Sequence, residues 1–272
     1  MLSTGSAEDF ANAPLFRTGF RLLFMMDNEY AAVGFTYDSF DDLMYDLMEE
    51  TGGKALVVPG YEGAVVYQDP TGPRMTAFKN EDGWRTTPGF LTDAPINATA
   101  YRVSDFITHV ALHRADNGEV FTNVIAASDE FFALPPGNPV GGQSIRTQQG
   151  ALSAWAKEYE LFDDAAAWAA HGNERTTPNM LFSPSAEKFH QNLSPRDLSP
   201  YAKLIGEISA VDKRTNELTE QSFLVATINY PAGDLPVLFP GDAQVKTGDV
   251  FDGTVFLSFG AGFWASRDKQ QA

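Results

Sequence analysis

Apolar residues recur along this chain in two periods, and the two-residue period dominates. It reads most clearly from Tyr201 to Trp264, where β-branched and aromatic runs alternate with turn residues every roughly 8–12 residues. Strands are expected near 202–212, 221–230, 235–239, 250–259 and 262–266. The helical period is cleanest in the first half. Phe40, Leu43, Met44, Leu47 and Met48 fall on one face, Ser39 with Asp42 resembles a capping box, and Gly52-Gly53 supplies the stop. A helix is therefore predicted over 39–51. Its other face carries Asp41, Asp42, Asp46, Glu49 and Glu50, read as a solvated face rather than a cation site.

Residues 1–13 are small and polar and read as a loose leader, and 16–36 read as strand–turn–strand around Asp27-Asn28-Glu29. After the helix, ALVVPG, AVVYQ, RMTAFK and WRTT read as short strands separated by Gly, Pro, Asn and Asp turns. Residues 99–127 read as a hairpin, with Asn117-Gly118 between two alternating runs. The Ala-rich stretch ALSAWAKEYELFDDAAAWAAHG, closed by Gly172, predicts a helix over 150–171. Residues 173–200 are rich in Pro and Ser, with one short helix after Ser183-Pro184, and form a connection.

The fold class expected is α+β: mostly antiparallel β with a few helices. Residues 14–172 form its α+β part, 173–200 the connection and 201–266 a five-stranded antiparallel module. That module, with Gly206 in its long first strand, resembles an OB-type barrel in architecture, without any family motif. A fainter pattern links 99–138 to 201–242 at an offset of ~100 residues: long strand, polar turn, second strand, then Pro-Gly-Asn or Pro-Gly-Asp. A duplication and two hairpins drawn from one turn vocabulary both account for it.

Charge narrows the partners. The formal net charge is −17, and every third of the chain is acidic. Nucleic-acid binding needs Lys and Arg to displace condensed counterions, so the OB resemblance carries no nucleic-acid partner with it. Anionic membrane surfaces are disfavoured for the same reason. There is no cysteine, which removes disulfides, thiolate nucleophiles and Cys-ligated zinc. No apolar run approaches the ~20 residues of a membrane span. A soluble cytoplasmic protein is expected.

Candidate chemistry is sparse. His109 and His113 would share a helix face, but on a strand they stand roughly 13 Å apart at ~3.3 Å per residue, too far to share one ion. The strand reading is preferred, and no metal or cofactor is expected. His171 and His190 read as helix-end or surface residues. Neither Ser144 nor Ser258 has the strand–elbow–helix context of a nucleophile, and no phosphate-binding glycine motif is present. Asp69, His109 and His113 are the candidates for a catalytic role, and Trp155, Trp168, Phe223, Tyr230, Phe259 and Trp264 for ligand or partner contact. Two functions follow: a non-enzymatic protein that binds a protein or small molecule, with a homo-oligomer left open; or a hydrolase or isomerase with a His/carboxylate site between the two halves.

Overall fold

A computed structural model describes residues 30–138, 141–172, 177–191 and 194–264. The strands are β1 (Gly63–Gln68), β2 (Pro73–Asn80), β3 (Gly83–Phe90), β4 (Ile96–Ser104), β5 (Ile107–His113), β6 (Val120–Ala127), β7 (Gly137–Asn138), β8 (Gly141–Gly142), β9 (Ile145–Phe162), β10 (Asn179–Phe182), β11 (Tyr201–Thr215), β12 (Ser222–Tyr230), β13 (Gly233–Pro240) and β14 (Val250–Gly260). The α-helices are α1 (Phe40–Glu50), α2 (Ala165–Ala170) and α3 (Pro184–His190). This is the mostly antiparallel α+β class that the alternating pattern predicts.

Helix α1 forms as its pattern dictates. Ser39 accepts the Asp42 N–H, and Leu43, Met44 and Leu47 turn inward while the acidic residues stay outside. Strands β1–β3 make a separate antiparallel sheet. With α1 and a 3-10 turn at Ala31–Val33, that sheet packs on Trp155, Phe223, Val225 and Leu238.

The large sheet runs β10-β11-β12-β13-β9-β14-β6-β5-β4, and the further pairings β11–β14 and β9–β4 close it twice. Two five-membered rings of strands result, β4-β5-β6-β14-β9 and β11-β12-β13-β9-β14, sharing the β9–β14 pair. The two rings have the same order and the same directions. In each, three consecutive strands form an antiparallel meander, the third pairs in parallel with a long strand (β6 with β14, β13 with β9), and all other contacts are antiparallel. Each long strand therefore serves both rings. The two meanders occupy the stretches that the faint sequence echo links, but not in its register, since an offset of ~100 lays β6 on β12 rather than on β13. One apolar core, from Ile96 and Val110 through Leu152 to Phe239 and Phe251, runs through both rings.

Five expectations need correction. The helix predicted over 150–171 is a strand to Phe162, with only Ala165–Ala170 helical. Residues 150–156, apart from half-buried Ala151, are buried on both faces, so the alternation that marks a strand is missing, and Ala propensity yields to pairing on both edges. The 99–127 hairpin is a three-strand meander, because the chain reverses at Asp105-Phe106, where Phe106 adopts φ +63°. The fifth strand expected at 262–266 is absent from its described part, where Phe263 and Trp264 lie in a helical turn. Strand β9 takes the fifth place instead, so the OB-like module of 201–266 does not close on its own residues. Residues 30–36 turn rather than extend, while the first run of that expected pair lies outside the described residues; ALVVPG yields a single bridge, Leu56 to Ala64.

Candidate functional site

Asp69, His109 and His113 stand in three separate settings. Asp69 is buried in the β1–β2 turn. Its carboxylate accepts hydrogen bonds from Tyr67 Oη at 3.0 Å, the Thr71 N–H at 2.9 Å, the Thr71 hydroxyl and the Glu217 N–H at 2.7 Å. These donors tie the turn to the β11–β12 loop, and Arg214 at the end of β11 also donates to the Thr71 carbonyl at 2.9 Å. Four donors use the capacity of a carboxylate, which makes Asp69 an acceptor hub.

His113 is on β5 and buried. Its Nδ1 lies 2.9 Å from the Gly118 carbonyl and its Nε2 2.8 Å from Thr99 Oγ1. A carbonyl only accepts, so Nδ1 carries the proton and Nε2 receives the Thr99 hydroxyl. The ring latches the β4–β5–β6 meander.

His109, four residues earlier, lies under α3. It stacks on Tyr101 with ring centroids 4.7 Å apart, and its Nε2 is 3.3 Å from Nε2 of His190, the exposed last residue of α3. Its Nδ1 is buried and has no hydrogen-bond partner among the described residues. Burial, and then the facing His190, lower its pKa to about 4, so the ring is neutral at pH 7. His171, exposed at the end of α2, lies 3.8 Å from the Glu160 carboxylate.

The aromatic candidates are built into the packing. Trp155 and Phe223 lie under the β1–β3 layer, and Phe259 lies in the shared core. Trp168 packs on Ile205 and Val250 and donates to Asp252 at 2.8 Å, while half-buried Tyr230 donates to the Ile205 carbonyl at 2.6 Å. Trp264 donates from its indole to Asp129 at 3.0 Å. That last bond belongs to a buried ionic cluster that sequence reasoning missed. Arg74 meets Asp129 at 2.5 and 3.0 Å and lies 3.6 Å from Glu130, while Glu130 accepts the N–H groups of Ala261, Phe263 and Trp264. Burial and the Asp129 charge push Glu130 upward in pKa, against Arg74 and the Phe263 and Trp264 N–H groups. The cluster fastens the end of β14 to β2, and its two acids differ in no visible way from the chain's other carboxylates.

A gap of about 10 Å³ beside Leu112, Leu152 and Tyr230 holds at most one water. A cleft of about 400 Å³ opens elsewhere, between Leu161–Asp163 at the end of β9 and the β13–β14 loop at Ala243–Lys246 and Asp249. An ion pair between Lys246 and Asp163 at 2.8 Å crosses it, with Asp249 buried behind. Tyr159, Phe239 and Phe251 interlock in the ring beside it, at centroid distances of 5.1–5.7 Å. The sequence signal for this cleft was only a polar loop.

Among the described residues no group of three or more His, Cys, Asp or Glu is placed to hold a metal ion, and no helix is long and apolar enough to cross a membrane. Comparison with protein-family models, curated proteins and solved structures finds no match to this chain.

Proposed function

We propose that this is a non-enzymatic binding protein, holding a small molecule or a loop of a partner protein in the cleft between the end of β9 and the β13–β14 loop. The cleft carries the proposal, since its volume of about 400 Å³ lies within the usual range for ligand sites. We read each ring as an OB-type barrel completed by the other's long strand. Barrels of that type use the face of strands 2 and 3 and the adjoining loops for binding. In the second ring the β1–β3 layer and the Asp69 knot cover part of that surface, which directs a ligand to the open cleft. Lys246, Gln244 and Asp163 offer one cation, an amide and a carboxylate, a set suited to a zwitterionic or amide-bearing ligand rather than a polyanion. A soluble, cytoplasmic setting fits this reading.

The second reading, a hydrolase or isomerase with a His/carboxylate site, draws on the neutral His109 at the contact between β5 and α3. Its facing group is an imidazole, however, and Asp69 is bonded elsewhere.

A thermal-shift screen of metabolites and peptides decides between the readings. Hits that persist in wild type and vanish in a Lys246→Ala, Gln244→Ala double variant support the cleft. Hits unaffected by that variant, or turnover of any hit compound, overturn it.

A further inference from the structure

Apart from the cleft, one pair of side chains has a geometry that packing alone does not demand. His109 and His190 face each other through Nε2 at 3.3 Å, with ring centroids 5.3 Å apart and planes nearly perpendicular at 87°. A distance of 3.3 Å lies just past the roughly 2.7–3.2 Å range of an N–H···O hydrogen bond. Two imidazoles on one tetrahedral zinc-like ion, with bonds of ~2.05 Å, place their nitrogens roughly 3.3–3.4 Å and their ring centroids roughly 5.2 Å apart. Both observed distances match that edge.

The fold fixes both donors before any ion arrives. His109 is clamped by its Tyr101 stack and by pairing to β4 and β6. Helix α3 is held at its start by Ser183, whose Oγ accepts the N–H groups of Ile125 and Ala186, and in its first turn by Ser185, which accepts from the Ser199 N–H. Phe189 packs with Ile125 and Leu198 beneath it. His190 is therefore delivered to His109 by a seated helix and is exposed on its outer side, leaving a path from solvent. A neutral imidazole is the ligating form, and buried His109 is neutral at pH 7.

We propose that His109 and His190 form a two-histidine site for a late first-row divalent ion, of the class of Zn²⁺, Co²⁺ or Cu²⁺, bridging α3 to β5. Imidazole nitrogen selects these ions over Mg²⁺ or Ca²⁺, which prefer oxygen. No third His, Cys, Asp or Glu among the described residues completes the shell. The other two positions therefore go to water or to a donor atom from a bound partner, so the ion is exchangeable rather than structural. This site is independent of the cleft.

The test uses tag-free full-length protein, because an affinity tag would chelate the same ions. Zn²⁺ and Mg²⁺ are each titrated while the unfolding midpoint is followed, and Co²⁺ binding is read in the visible spectrum. The expected result is a midpoint that rises with Zn²⁺ but not Mg²⁺, one ion per chain, and tetrahedral Co²⁺ bands. His190→Ala should lose all three, each judged against the variant's own metal-free midpoint. His171→Ala should retain them. A Zn²⁺ effect absent from wild type, or undiminished in His190→Ala, overturns the site and leaves the pair as a hydrogen bond.

Discussion

A neutral imidazole sealed under a helix makes stability depend on pH in a defined direction. The ordinary histidine value is 6.5, and His109 lies at about 4. Between those values the unfolded chain binds a proton that the folded chain refuses, so stability falls as pH falls from 6.5 toward 4, by up to about 3 kcal/mol. Above 6.5 both states are neutral and the effect vanishes. Glu130 works oppositely, because its raised pKa makes ionisation costly as pH rises. The His109 contribution is therefore read as a difference. In urea titrations with chelator present, wild type minus His109→Gln should slope downward between pH 6.5 and 4 and flatten above. A flat difference throughout would mean that the imidazole is hydrated in the folded state. At this scale the sequence was informative about His109 and His113, since the alternation of VALH with ITHV places them on a strand. It was silent on Arg74, Asp129 and Glu130. Nothing local distinguishes a buried acid from a surface one when its partner lies 55 residues away.

Among the elements, α1 was legible because its cap, face and stop agree with one another, and β11 to β14 because turn residues bracket them. Strand β9 was not. Its Ala151–Ala156 segment packs in a crowded middle where neighbours approach on both faces, and small residues chosen for clearance look like helix formers. The crowding continues beyond that segment, where Gly253 pairs with Tyr159. A Cβ there would lie 2.5 Å from Tyr159 Cβ and 2.6 Å from the Glu158 carbonyl, beside the bulge between Thr254 and Val255. Gly253→Ala should cost about 2–3 kcal/mol, at the upper end for overpacking. Gly141→Ala in β8 meets nothing within 4 Å and should be near neutral. Denaturant midpoints for the two variants check the contrast, and equal midpoints would show that β14 can shift away from β9.

At the level of the whole molecule, the turn-spaced strands predicted the class, but the weak echo between 99–138 and 201–242 did not give the register of the two meanders: at an offset of ~100 it lays β5 on β11 and β6 on β12, whereas equivalent ring positions are β5 with β12 and β6 with β13. The exchange of long strands between rings lay beyond any pattern in the sequence. Pairings such as Ser258 with Ala127 join strands more than a hundred residues apart, and neither partner's periodicity names the other. A consequence can be measured. Residues 201–264 expressed alone lack β9, which leaves β13 and β14 with open edges and Phe239 and Phe251 without Tyr159. That fragment should show no cooperative unfolding transition and no dispersed amide spectrum, whereas adding a 145–162 peptide in trans should restore both in part. A fragment that folds unaided would mean that its four strands close without the shared one.

The two-ring arrangement also sets a timetable on the ribosome. Strand β9 emerges with β4 already made, but its long partner β14 is roughly a hundred residues further on, a delay of about 5–20 s at 5–20 residues per second. For that interval the nascent chain carries Trp155 and its alanine-lined flank with both edges unpaired, since β13 and β14 flank it and β4 reaches only the 145–150 end of β9. Synthesis of this protein thus has a built-in waiting period, in which a holding chaperone on the translating ribosome would find its target.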